Sequence, residues 1–176
     1  MKKILAIGGS NSKNSINTAF ATHIATQIEN ARVTTLNWEE IALPLYGVDT
    51  EKENGIPQAA HDFIAMIKDA DAIVLSVAEH NGLITAAFKN LWDWTSRIEQ
   101  KLWMNKPMFL ATTSPGGRGA KSAFDVMQNI LPHYGGNVVA SISLPLFYEN
   151  LQDGTIKDEE LQKVFIEQID LFAKAL

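Results

Sequence analysis

A doubly wound parallel sheet in a single α/β domain is the fold this sequence predicts, and three observations lead there. Its strongest apolar runs are continuous rather than alternating. Stretches with helical spacing separate them, and polar or glycine-rich segments follow the first, third and fourth runs. Continuous runs imply strands covered on both faces, as in a parallel sheet. Strand and helix alternate five times, which yields such a sheet with helices on both sides. A chain of 176 residues suits one domain, residues 1–176, around one core.

The elements follow in order. Ile4-Leu5-Ala6-Ile7-Gly8 predicts a buried first strand. A polar loop, Gly9 to Asn17, leads into Ile16, Phe20, Ile24 and Ile28 at helical stride. Arg32 to Trp38 alternates about Val33 and Leu36 as a second strand, and Phe63, Ile64 and Ile67 mark the next helix. The third strand, Ala72 to Ala78, precedes a helix carrying Phe88, Leu91, Trp92 and Ile98. Pro107 to Thr113 is the fourth strand. Its helix carries Ala120, Ala123, Phe124, Met127 and Leu131, and Pro132 with Gly135-Gly136 stops it. Val138 to Leu144 is the fifth strand. A last helix starts near Asp158 and carries Leu161, Val164, Phe165, Ile169 and Phe172, with acidic residues in the first turn where the helix dipole favours them.

Composition excludes several function classes. The net charge is −5 and the 15 basic residues are scattered, so no basic patch is offered to nucleic acid. The absence of cysteine removes disulfides, thiol catalysis and cysteine-ligated metals. The four histidines show no metal-ligand spacing, and no Ser–His–Asp arrangement can be named. The basic start Met1-Lys2-Lys3 is followed by too short an apolar run for a signal core or membrane span. A soluble cytoplasmic protein without a membrane partner is expected.

In a doubly wound sheet, ligands bind outside the carboxyl ends of the strands, at the switch point. That geometry gathers the loops Gly9–Asn17, Glu79–Thr85 and Ser114–Ala120. The first places free peptide N–H groups and a helix N-terminus together, which suits a phosphate. The same serines and asparagines would also serve as plain helix caps. Glycines in the third loop allow close backbone approach by a planar ligand, or make a simple tight turn.

Four stretches carry a family likeness: Gly9-Ser10 with Ser15 and Asn17, Leu43 to Asp49, Glu79-His80-Asn81-Gly82 running on to Lys89-Asn90 and Asp93-Trp94, and Ser114 to Gly119. In order and spacing the chain resembles the NAD(P)H-dependent FMN reductases of flavodoxin-like fold, a family that includes azo-, chromate and quinone reductases. The resemblance implies a five-stranded sheet of order 2-1-3-4-5. It implies FMN as cofactor, with its phosphate on Ser10, Ser15 and Asn17 and with Ile16 among the cofactor-binding residues. Ser12 stands where the family usually carries arginine, leaving Lys13 as the adjacent charge.

Glu79, His80, Asn81 and Gly82 would meet the ribityl chain and the ring edge, with Asn81 facing the crevice. His80 replaces the family's usual tyrosine. Ser114 and Pro115 would lie against the ring with Gly116 and Gly117 framing it, and Arg118 reads equally as a contact to flavin or to the nicotinamide cofactor's phosphate or as a solvated side chain. Trp94 would be buried at a dimer interface, implying a homodimer or homotetramer. Lys89, Asp93 and Arg97 stand at four-residue steps and read as intrahelical ion pairs.

The function implied is hydride transfer from NADPH or NADH to FMN and on to a small-molecule acceptor: free flavin, quinone, azo compound or metal oxyanion. Donor and acceptor alternate in one cleft, and no catalytic side chain is required. The alternatives are a flavodoxin-like electron carrier that does not itself oxidise NAD(P)H, and a flavin-binding protein without that activity.

Overall fold

The computed structural model describes residues 1–176. Five parallel strands form the central sheet in the spatial order β2-β1-β3-β6-β7. They are β1 (Lys2–Gly9), β2 (Ala31–Thr35), β3 (Ala72–Val77), β6 (Pro107–Thr113) and β7 (Asn137–Leu144). Among these five the order is the expected 2-1-3-4-5. The crossover helices are α1 (Ile16–Thr26), α3 (Gln58–Asp69), α4 (Ala86–Ser96) and α5 (Lys121–Ile130), and α7 (Glu159–Lys174) follows the last strand as the final helix.

The pleat explains why the apolar runs are continuous. Successive side chains point to opposite faces, and both faces are covered. Leu5, Ile7, Ile73, Leu75, Met108 and Leu110 pack with Phe63, Phe88, Trp92 and Phe124 from α3, α4 and α5. Ile4, Ala6, Ala72, Val74, Phe109 and Ala111 pack with Phe20 and Ile24 of α1 and Phe165 and Phe172 of α7. Each leucine, isoleucine, valine, methionine or phenylalanine among them contributes about 1.5–3 kcal/mol when removed from water. These two layers hold rigid the strand ends from which the site is built.

Several boundaries differ from the sequence expectation. The second strand ends at Thr35 rather than Trp38, because Asn37 Oδ1 accepts from the Glu39 N–H at 3.1 Å and starts a 3-10 turn over Trp38–Glu40. The first helix stops at Thr26. The fourth predicted helix ends at Ile130 and tightens into a 3-10 turn, Leu131–Tyr134, around Pro132. The last helix begins as expected, with the Asp158 carboxylate accepting from the Leu161 N–H at 2.9 Å.

Four features were not expected. Helix α2 (Val48–Asn54) lies in the connection after β2, and α6 (Phe147–Asn150) follows β7. Two antiparallel hairpins are present, β4 (Glu79–His80) with β5 (Leu83–Ile84) and β8 (Leu151–Gln152) with β9 (Thr155–Ile156). Their turns are Asn81-Gly82, with φ of 53° and 83°, and Asp153-Gly154, with 52° and 71°. Two successive left-handed residues match strand twist in a two-residue hairpin, and Asn-Gly and Asp-Gly adopt that pair at least cost. No helix is long and apolar enough to cross a membrane.

Candidate functional site

A cleft of about 300 Å³ opens at the carboxyl ends of β1, β3, β6 and β7. It brings together Ser10, Ser12, Ser15, Ile16 and Asn17 after β1, Glu79 and His80 after β3, and Ser114 and Pro115 after β6. Nine of the expected residues therefore share one cavity. Asn14, Ala78, Thr113 and Tyr148 also line it, although the sequence reading did not single them out. A broader surface trough of about 650 Å³ lies along the open edge of β7, where Gln128, Val139, Ser141 and Gln168 line it. It is remote from the switch point.

The first loop presents a row of free peptide N–H groups at the start of α1. Ser15 is the N-cap of α1, and its Oγ accepts from the Thr18 N–H at 3.1 Å. Its hydroxyl proton is left to donate elsewhere, so cap and ligand contact coexist in one side chain. The peptide N–H groups of Asn11 and of each residue from Lys13 to Asn17 donate to no protein acceptor. Such N–H groups at the positive end of a helix dipole favour an anion. Ser10 is buried, and its Oγ accepts from the Ser12 N–H at 3.3 Å, which curls the loop.

Asn17 departs from its expected role. Its side chain is only 2% exposed. Nδ2 donates to the Thr113 carbonyl at 3.2 Å, while Oδ1 accepts from Ser76 Oγ at 2.8 Å and from the Thr113 N–H at 3.2 Å. The amide brackets α1 to β3 and β6 beneath the cleft, and only the Asn17 peptide N–H is left without an acceptor. Lys13 also departs. Its Nζ stands 3.6 Å from Glu39 Oε1 on the outer flank of the loop, and it does not line the cleft.

Glu79 sends its Oε2 to the Ala123 N–H of α5, 3.1 Å away. Ala120 caps that helix in a left-handed conformation, φ 61°, with no side-chain acceptor of its own. The Glu79 carboxylate supplies that acceptor from another part of the chain and faces the positive end of the dipole. Asn81 is exposed at the hairpin tip with Gly82, and neither lines the cleft, contrary to the placement of Asn81 in the crevice. The hairpin turn points them outward.

In the third loop, Gly119 has φ +59°, and a Cβ there would lie 2.6 Å from Ser143 Oγ. The fold itself requires that glycine. Gly116 and Gly117 are exposed just outside the cleft lining, contrary to their expected place against a ring within it. At Gly117 φ is not positive, and a Cβ would meet nothing within 4 Å. Gly116 accepts from the Leu146 N–H at 3.1 Å, and Ser114 from the Phe147 N–H at 3.0 Å. Those bonds lock the segment carrying Tyr148, whose ring is 64% exposed at the cleft. The signal for Tyr148 was available, because the carboxyl-end rule applies to the fifth strand as well. Arg118 is spent on Ser122 Oγ at 3.0 Å, outside the cleft.

Trp94 is fully buried within the chain, not at a surface awaiting a partner. Its indole N–H donates to the Pro44 carbonyl at 2.8 Å, and Tyr46 packs edge-on at 5.1 Å between centroids. Asn90 ties the same segment, accepting from the Tyr46 N–H at 2.8 Å and donating to the Pro44 carbonyl at 2.9 Å. Lys89 pairs with Asp93 at 2.5 Å as expected. Arg97 instead reaches Glu51 of α2 at 2.9 Å. Partial desolvation, with the Glu51 carboxylate as acceptor of its hydroxyl, raises the Tyr46 phenol above its ordinary range.

A parallel sheet of this order, with an N–H-rich loop leading into α1, defines a flavodoxin-like mononucleotide-binding protein. The family model for NADPH-dependent FMN reductase matches residues 2–148, and the chain belongs to that family. Escherichia coli (strain K12) quinone reductase is 27% identical over 124 residues, covering 65% of this chain and 66% of that protein. The NADPH:quinone oxidoreductase of Arabidopsis thaliana is 30% identical over 129 residues, covering 72% and 65%. The aligned region thus spans just under two thirds of each relative. Among solved structures, the flavoenzyme NAD(P)H:(acceptor) oxidoreductase FerB of Paracoccus denitrificans superposes with a TM-score of 0.72. It is 26% identical, with 99% of both chains covered.

Proposed function

We propose that this protein is an FMN-dependent oxidoreductase in which NAD(P)H and then a small electron acceptor occupy the same cleft in turn. The observation that carries this reading is one cleft at the switch point that joins an N–H cradle to residues after β3 and β6, with an exposed glycine, Gly117, that the fold does not need just beyond its lining. The cradle suits a phosphate, and the glycine leaves room for a flat group against the backbone. Bound FMN would supply the two-electron chemistry, accepting hydride and passing it on. The chain's share is to bind and orient: Ser10, Ser15 and the loop N–H groups hold the phosphate end. Ser114 and Pro115 wall the far side, with the Gly116-Gly117 backbone beyond them. Quinones are the favoured acceptor class, because two similar relatives bear that name, and a cytoplasmic homodimer or homotetramer is the favoured setting.

Steady oxidation of NADPH or NADH with a benzoquinone, in the presence of FMN, tests the reading. Tight FMN binding without oxidation by a quinone, free flavin, azo dye or metal oxyanion would make the protein a carrier instead. Sedimentation at micromolar concentration checks the assembly.

Ser15→Asp separates the two roles of that residue. Aspartate is as good an N-cap as serine, so the melting temperature of the apoprotein should hold. Its charge beside a phosphate should weaken FMN binding by about tenfold or more. Unchanged affinity in a fluorescence titration would remove the phosphate from this loop.

No lysine or arginine lines the cleft. Wild-type FMN affinity should therefore change by less than about threefold between roughly 0.05 and 0.5 M salt. Ser12→Arg should tighten binding at low salt and lose that gain at high salt. A steep salt dependence in the wild type would show that a cation reaches the phosphate after all.

A further inference from the structure

A second cleft lies across the first loop from the flavin cleft, on the side of β2. It consists of two adjoining cavities of about 260 and 300 Å³ that share Asn11, Lys13, Trp38 and Glu39. Its walls come from the loop after β1, the connection after β2 and the first turns of α4. We propose that this cleft seats the adenosine diphosphate half of the nicotinamide donor. The inference rests on the oxidoreductase reading above and names a place for the part of the donor that does not react.

Four observations support it. First, one wall is apolar, formed by Trp38, Ile41, Leu43 and Ala87, with Asn11 and Asn90 among the polar residues around it. The Trp38 indole N–H is spent on the Gly8 carbonyl at 2.6 Å, so the side chain is fixed and offers ring surface rather than a donor. Such a seat fits a purine base. Second, the mouth carries one cation and one anion, Lys13 and Glu39, 3.6 Å apart, with side chains 84% and 69% exposed. The ammonium suits a phosphate, and the carboxylate suits ribose hydroxyls, the same complementarity that an acidic residue after the second strand provides in dinucleotide folds.

Third, Ser12 lines both this cleft and the flavin cleft. A ligand with its reactive ring in one and its base in the other would cross at that residue. Fourth, Lys13 is held away from the flavin cleft, where the phosphate reading of the sequence placed it. Its pairing with Glu39 holds the ammonium at the mouth of the second cleft instead, within reach of a donor phosphate there.

Calorimetric titration of ADP into FMN-saturated protein tests this, because ADP carries no redox chemistry and the flavin cleft is already filled. ADP should bind, more weakly at high salt. Lys13→Ala should weaken it by about fivefold. Ala87→Leu keeps a good helix former on α4 and fills the apolar seat, so it should weaken ADP by about tenfold or more. FMN affinity of both variants, measured in parallel, should stay within about twofold of wild type. Absence of ADP binding at millimolar concentration, or equal binding by wild type and both variants, would overturn the proposal. Should FMN itself fail to bind, the oxidoreductase reading falls separately. The same comparison made in a Ser15→Asp background, where the first loop repels phosphate, would still decide the second cleft.

Discussion

Gly117→Val is expected to reduce NAD(P)H oxidation by roughly a hundredfold while shifting the melting temperature by less than about 2 °C. The structural half of this expectation comes from the open space at Gly117, where a Cβ meets nothing within 4 Å and φ is not positive. A substitution of that kind changes stability by about 0.5 kcal/mol or less. In a protein of this size that moves the midpoint by about 1–2 °C. The functional half comes from the proposed ring position beside the third loop. A branched side chain there would displace the ring by ~1 Å, and a misplacement of that size can cost about a hundredfold when hydride donor and acceptor must approach closely.

Gly119→Val is the internal control. At φ +59°, with Ser143 Oγ 2.6 Å from the added Cβ, it should cost at least about 2 kcal/mol and unfold well below wild type. Calorimetric melting and turnover, both measured on the two variants, check the pair. Normal turnover in Gly117→Val would mean that no ring lies against that backbone.

Asn17→Leu should show the opposite balance, a large loss of stability. Leucine nearly matches the volume but leaves Ser76 Oγ and both peptide groups of Thr113 without their partner. Each buried group so stranded costs about 1–3 kcal/mol. A total of about 3–5 kcal/mol corresponds to a fall of roughly 10 °C or more in a domain of this size. Because the amide itself is not offered to the cleft, FMN affinity of the folded variant at low temperature should fall only modestly. A stable Asn17→Leu protein that had lost FMN binding would return the side chain to the phosphate site. Chemical denaturation and FMN titration at one low temperature make the comparison.

These two positions also show where reading the sequence stops. Asn17 and Gly117 both looked like ligand contacts, since each is a small or polar residue in a loop at the carboxyl end of a strand. Only Asn17 has a partner elsewhere in the chain, the Thr113 carbonyl, 96 positions away. Glu79 is similar: its acceptor role at α5 joins residues 44 apart. Trp94 looked like an interface residue because it lies off the apolar stripe of its helix. Its burial comes from a strap of irregular chain around Pro44, 50 positions earlier, which no periodicity announces. The hairpin at Asn81-Gly82 did have a local signal, and it turns both residues out of the cleft.

What the sequence by itself determined was the sheet, its class of connections and the cap that opens α1. Strand, helix and cap preferences act over a few residues, and burial on two faces writes them as runs and strides. Ser15 illustrates this, because its capping bond spans only three positions. What only the tertiary structure decided was the direction of each polar side chain around the cleft. Those directions are set by hydrogen-bond partners and charges brought together from distant segments, and a buried polar group takes whichever partner the packed fold places beside it. Lys13 turned to Glu39, and Tyr148 arrived from the fifth strand, for that reason.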